Sequence, residues 1–226
     1  MHVVWDWNGT LLADLNLVVA ATSVGIEASG GYVVDLLAYR TAFQRPLRVF
    51  YEQLLGTPLD DAAWTRAEGA FHDHYRRELP SCHLVDGAEE ALDTLDSAGL
   101  SQSLLSMWGH DQLVALLQQR ELEHWFSRID GDRHYDGGGK AARLHDHLLA
   151  VGVSADDTVL IGDAVDDAHA AQSVGAQVLL VAEHSSHTRA SLVAAGPVVS
   201  DLAAAVECVL ELAADGCHDS AGTASR

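Results

Sequence analysis

Short runs of apolar and β-branched residues alternate with amphipathic helical patterns along most of this chain, and that alternation leaves few folds open. Residues 2–7 read as a strand that stops at the turn pair Asn8-Gly9. Residues 103–107, 158–161, 177–181 and 197–199 form further strand-like runs. Helical spacing fills 88–98, 111–122, 140–151 and 167–174, with a last helix over about 202–214. Strands separated by helices of this length pair in parallel, and a parallel sheet needs helices on both faces. The expected class is α/β, a doubly wound parallel sheet.

The segment after the first strand breaks this rhythm. Apolar residues recur there at helical spacing, interrupted at Gly30-Gly31, Pro46 and Gly56-Thr57-Pro58 and closed by Pro80-Ser81. The expected organisation is a core of residues 1–13 and 82–214, an inserted all-helical unit over 14–81, and a disordered tail over 215–226.

Doubly wound sheets bind ligands beyond the carboxyl ends of their strands. Asp6-Trp7-Asn8-Gly9-Thr10 follows the first strand, and Ser106 closes the second. Lys140 opens a helix after a glycine loop, and Gly162-Asp163-Ala164-Val165-Asp166-Asp167 follows the strand ending at Ile161. These groups suit phosphoryl transfer. An aspartate can attack phosphorus, and carboxylates with a backbone carbonyl can hold Mg²⁺. A hydroxyl, an ammonium and turn amides can bind the oxygens on which charge accumulates. Glycine at position 9 lets the backbone approach a phosphate closely.

Lys140 is the only lysine; the other 12 of the 13 Lys and Arg residues are arginine. A single lysine retained there points to a site that needs a compact charge instead of a planar fork. Elsewhere the chain is acidic, with 33 Asp and Glu and a formal net charge of -20. Such a surface repels nucleic acids and anionic membranes, so neither is an expected partner. A phosphorylated ligand then needs a local reversal of the field, which a divalent cation would supply. The three cysteines are scattered without metal-ligand spacing. With no signal-peptide pattern and no apolar run of membrane-spanning length, the expected location is cytoplasmic.

In order and rough spacing, these motifs resemble the haloacid-dehalogenase-like hydrolases, in particular the phosphoglycolate-phosphatase-like branch with a helical cap of the first type. The resemblance runs from His2 to about Leu212. It implies a Rossmann-like core and a helical cap. It implies Asp6 as a nucleophile that carries an aspartyl-phosphate, and Gly9, Ser106 and Lys140 as phosphate-binding residues. It also implies Mg²⁺ held by Asp6, the Asn8 carbonyl, Asp163 and Asp167. The implied activity is removal of phosphate from a small phosphorylated metabolite, with Arg45 and Arg48 in the cap as candidates for substrate contact.

One position departs from the pattern. Phosphatases of this family usually carry an aspartate two residues after the nucleophile, where it protonates the leaving group and then activates water. Here that residue is Asn8. An amide performs neither task, and losing such help typically costs about 10²–10⁴-fold in rate. The departure keeps two alternatives open: cleavage of a phosphonate or other non-ester bond, and a weakened phosphate-binding module. His110, close after Ser106, is a candidate stand-in proton donor. His72/His74 and His145/His147 lie on different helix faces at their spacing, so no metal site is expected from either pair.

Overall fold

The computed structural model describes residues 1–133 and 139–222, with side chains as far as residue 215. Gly137 and Gly138 of the glycine loop lie outside the described residues. Strand β1 is His2–Trp5. Helices α1 (Leu15–Glu27), α2 (Leu36–Ala42), α3 (Leu47–Leu55) and α4 (Asp61–Glu78) follow, and a 3₁₀ turn at Leu79–Ser81 ends the run. Next come α5 (Ala88–Ser97), β2 (Ser101–Gly109), α6 (His110–Gln119), β3 (Ile129–Asp132) and α7 (Lys140–Val151). The chain finishes with β4 (Thr158–Gly162), α8 (Val165–Val174), β5 (Gln177–Val181), α9 (Arg189–Ala195), β6 (Val198–Val199) and α10 (Leu202–Gly222).

The strands form one parallel sheet in the order β3-β2-β1-β4-β5-β6. Alternation along each strand explains why it carries helices on both faces. Val3, Trp5, Leu104, Ile161 and Leu179 pack on one side, with Leu92, Leu113 and Val209 from the helices. Val4, Leu105, Leu160 and Leu180 pack on the other, with Leu144, Ala171 and Leu192. The helices after β1 have an apolar centre of their own, in which Tyr39, Phe43 and Phe50 meet ring to ring and Tyr51 packs edge-on against Trp64.

A chain of hydrogen bonds ties β1, β2, β3 and α7 together inside the core. His2 bonds to Ser101 Oγ and Ser103 Oγ, each at 2.7 Å. Ser103 Oγ also meets His147 Nε2 at 2.8 Å, and His147 Nδ1 meets Asp130 Oδ2 at 2.7 Å.

The structure departs from the sequence reading at β3, at α9, which falls where no helix was expected, and at the last helix. Strand β3, an edge of the sheet, was not foreseen, because Ile129-Asp130-Gly131-Asp132 carries no apolar run. Gly131 is needed there, since a Cβ would come within 2.6 Å of the His110 backbone. The last helix also runs past 214 to Gly222, where the sequence leads one to expect a disordered tail from 215; residues 223–226 lie outside the described residues. That stretch holds no proline, and a glycine such as Gly216 costs a helix only about 1 kcal/mol. Among the described residues, no helix is long and apolar enough to cross a membrane.

Candidate active site

The sheet reverses its winding beside β1, so the carboxyl ends of β1, β2 and β4 open on one crevice. Asp6 lies just past β1, and its N–H continues the ladder to the Ile161 carbonyl at 2.8 Å. The chain then turns tightly: Gly9 adopts φ 74°, and a Cβ on it would lie 2.5 Å from Asp163 Oδ2. Only glycine fits this turn. Beyond β4, Asp167 sits in the first turn of α8, where its Oδ2 accepts the N–H groups of Asp163 (3.1 Å) and Ala164 (2.9 Å). It therefore satisfies the orphan donors of the helix start while presenting Oδ1 to the site.

Lys140, at the start of α7, is buried with its Nζ 2.5 Å from Asp6 Oδ1 and paired also with Asp167 Oδ1. Oxygens of Asp6, Asp163 and Asp167 all lie within 4.8 Å of one another, and all three residues are buried. Three carboxylates thus share one ammonium. Burial, with the Asp167 charge added, pushes Asp6 up to about 7 against the pull of Lys140. Burial and the charges of Asp6 and Asp167 push Asp163 well above the usual carboxylate range. Burial would lower Lys140, but Asp167 and Asp6 hold it above its ordinary value. A set of buried carboxylate oxygens in excess over cations is a fitting donor set for a hard divalent ion such as Mg²⁺.

Ser106 is buried in β2; its Oγ accepts the Trp108 N–H at 3.0 Å and lies 3.5 Å from Asn8 Oδ1. Asn8 Nδ2 donates to Asp14 Oδ2 at 2.8 Å and to the Tyr75 hydroxyl at 2.9 Å. Tyr75 in turn donates to Asp14 Oδ2 at 2.7 Å, and the Gly9 N–H donates to Asp14 Oδ1 at 2.9 Å. Asp14 occupies the cap position of α1 without bonding that helix through its side chain. Its carboxylate holds the Asn8 amide and the Gly9 turn instead. Sequence reasoning missed both Asp14 and Tyr75. The available signals were an aspartate set between apolar Ala13 and Leu15, and a tyrosine four residues after Phe71 on one helix face.

A cleft of about 290 Å³ joins these groups, with walls from both the sheet and the helices that follow β1. It brings together Asp6, Asn8, Gly9, Ser106, Lys140, Asp163 and Asp167. Of the three further candidates it takes only Arg45, whose Nε meets Asp166 Oδ2 at 2.8 Å. Arg48 does not line the cleft: it bonds Asp61, Glu52 and the Leu59 carbonyl within the helical segment. His110 does not line it either. Its Nδ1 accepts the Gly131 N–H at 3.1 Å and its Nε2 meets Arg133 at 2.5 Å, because β2 ends at Gly109 and the chain turns toward β3.

A doubly wound α/β core, with an aspartate on the turn after its first strand and an acidic pocket over the strand ends, is the arrangement to set beside known enzymes. The family model of the haloacid dehalogenase-like hydrolases matches residues 3–181, and the chain belongs to that family. Comparison with curated proteins returns no match. Among solved structures, the chain is similar to a protein described as a predicted phosphatase from Clostridium acetobutylicum (20% identity, 93% of this chain and 98% of that one, TM-score 0.78). A haloacid dehalogenase-like hydrolase from Streptococcus pneumoniae is alike at 18% identity, 93% and 97% coverage and TM-score 0.78. A predicted phosphoglycolate phosphatase from Haemophilus somnus is alike at 15% identity, 92% and 97% coverage and TM-score 0.76.

Proposed function

We propose that this hydrolase removes phosphate from a small phosphorylated compound, with the Asp6 carboxylate attacking phosphorus. The observation that carries the reading is the placement of Asp6 at the strand end, buried, 2.5 Å from Lys140 and within reach of Asp163 and Asp167. Lys140 holds the attacking carboxylate in place and faces the phosphoryl oxygens, where its compact charge counters the charge that develops in the transition state. Ser106 Oγ and the turn amides after Asp6 offer further hydrogen bonds to those oxygens. Asp6, Asp163 and the Asn8 carbonyl would hold Mg²⁺, with Asp167 supporting; the bound ion supplies charge neutralisation and polarises the phosphoryl group. The helical segment closes the cleft over the reacting groups and excludes bulk water. The helices after β1 make up the cap of this reading, and 1–13 with 82 onward make up its core.

Phosphonate cleavage through a lysine imine has no support, since the sole lysine is Lys140, already paired with Asp6 and Asp167. The deciding experiment is phosphate release over a panel of phosphomonoesters, with Mg²⁺ and with chelator. Release that needs Mg²⁺ is the expected result; no release from any ester would reject the reading.

A further inference from the structure

Two features of the cleft bear on which group departs when phosphate is taken. The first is the state of Asn8. Its Nδ2 hydrogens are committed to Asp14 and Tyr75, and His110 lies outside the cleft lining, bonded to Gly131 and Arg133. The leaving oxygen therefore meets an amide where relatives place a carboxylic acid.

The second feature is the wall past Asn8. Val18 of α1, Phe71 of α4, Phe43, and Met107 with Trp108 at the end of β2 all line the cleft, and all are only half-buried. They give the cleft an apolar face, beside the polar side chains of His72, His184, Ser186 and His187 that also line it. Phe71 and Tyr75 stack with centroids 5.8 Å apart and planes 10° apart, a flat face that ends in the Tyr75 hydroxyl on Asn8. Arg45, the arginine on this wall, has its Nε on Asp166. A polyol laid against such a wall loses water without equal return, whereas an aromatic ring extends the stack.

We infer that the substrates are phosphate monoesters of an acidic hydroxyl on a flat apolar skeleton, that is, aryl phosphates; this rests on the phosphatase reading above. The chemistry balances without an acid. An Asp6 oxygen bonds to phosphorus as the bond from phosphorus to the aryl oxygen breaks. The electron pair stays on that oxygen, which leaves as a phenolate. A phenol has a pKa of about 10, so its anion departs unassisted and takes a proton from water afterwards. An alkoxide, about as basic as hydroxide with its parent at roughly 15.7, does not. Water then attacks the phosphorus of the aspartyl-phosphate, gives up its proton to solvent, and frees inorganic phosphate and Asp6. The cleft volume of about 290 Å³ lies at the small end of ligand pockets and suits a leaving group of one or two rings.

The test uses the whole chain with Mg²⁺ and four phosphates: the esters phenyl phosphate, cyclohexyl phosphate and 2-phosphoglycolate, and the acyl phosphate acetyl phosphate. Phenyl phosphate should exceed cyclohexyl phosphate in kcat by about 10²–10⁴-fold at similar KM, since the two differ in leaving-group acidity more than in size. Acetyl phosphate, acidic but without a ring, should show a KM about tenfold higher than phenyl phosphate. Phe71→Leu should raise KM for phenyl phosphate severalfold while kcat holds, separating ring contact from chemistry. As a readout without turnover, phenylphosphonate should quench the tryptophan fluorescence of Asp6→Asn at about tenfold lower concentration than methylphosphonate. Equal or better kcat/KM with 2-phosphoglycolate, or equal kcat for the phenyl and cyclohexyl esters, overturns the aryl assignment and leaves the phosphatase reading standing. No release from any of the four overturns both.

Discussion

The chain His2–Ser103–His147–Asp130 and the group Asp6–Asp163–Asp167–Lys140 are both buried against one sheet, yet they balance their charges differently. In the first, each acceptor meets a donor. Burial and the nearby His147 hold His2 down to about 4, so it stays neutral. Burial would raise Asp130, but bonds from His147 and Arg128 bring it down to about 2. In the second, three carboxylates crowd one ammonium, and both Asp6 and Asp163 are pushed up. One cluster is satisfied by the chain itself. The other is left short of positive charge at the strand ends, where ligands bind, which is how a protein stores a binding site.

The largest effect expected from breaking this contrast comes at Asn8. Asn8→Asp alone places a carboxylate where Asn8 now donates to Asp14 at 2.8 Å, so it should destabilise the turn and gain no rate. The exchange Asn8→Asp with Asp14→Asn keeps a donor facing an acceptor. It should raise single-turnover rates on alkyl phosphates by part of the about 10²–10⁴-fold that acid–base help supplies. Equal gains from the single variant would show that Asp14 does not dictate the amide.

Lys140→Arg comes next. The guanidinium keeps the charge but not the compact fit between Asp6 and Asp167, and a misplacement of this kind costs about 10²-fold in kcat. Wild-type turnover in that variant would make Lys140 a general counter-charge only.

The two clusters should also answer pH with opposite signs. Asp6 has a folded pKa above its unfolded value, so the metal-free fold binds the extra proton and loses stability as pH rises from about 4 to about 7. His2 has a folded pKa below its unfolded value, so its contribution is present above about 6.5 and is lost as pH falls toward about 4. Mg²⁺ should therefore raise the melting temperature more at pH 8 than at pH 5.5, and a scan across pH with and without chelator reads both limbs. A Mg²⁺ effect independent of pH would detach the cation from these carboxylates.

The smallest functional effect belongs to the satisfied cluster. His147→Ala removes one of the two partners of Ser103 and of Asp130 and should cost about 1–3 kcal/mol in denaturant titration, with kcat unchanged. A drop in kcat at full folding would tie this chain to the site.

What the sequence disclosed follows from which contacts are local. Asp6, Gly9, Asp163 and Asp167 each sit within a few residues of an apolar strand, and strand ends are where doubly wound sheets gather ligands, so their meeting was readable in advance. Lys140 stood out by being the only lysine. Asp14 and Tyr75 are 61 residues apart in the chain, and no period links them; only the packing of α4 over the turn after Asp6 brings them together. His110 and Arg48 lie outside the cleft lining for the converse reason. Nearness in sequence put His110 beside Ser106, but the step from β2 into α6 turned it away. Arg48 found its partners Glu52 and Asp61 within the helices that carry it.

The central claim is that Asp6 carries the phosphoryl group. Acid quenching during turnover of phenyl phosphate, followed by peptide mass analysis, tests it most directly. A phosphorylated Asp6 peptide in the wild type, absent in a folded Asp6→Asn that has also lost turnover by about 10⁴-fold or more, is the predicted result. Phosphate release that continues in Asp6→Asn, or a phosphoryl group trapped on another residue, would contradict it.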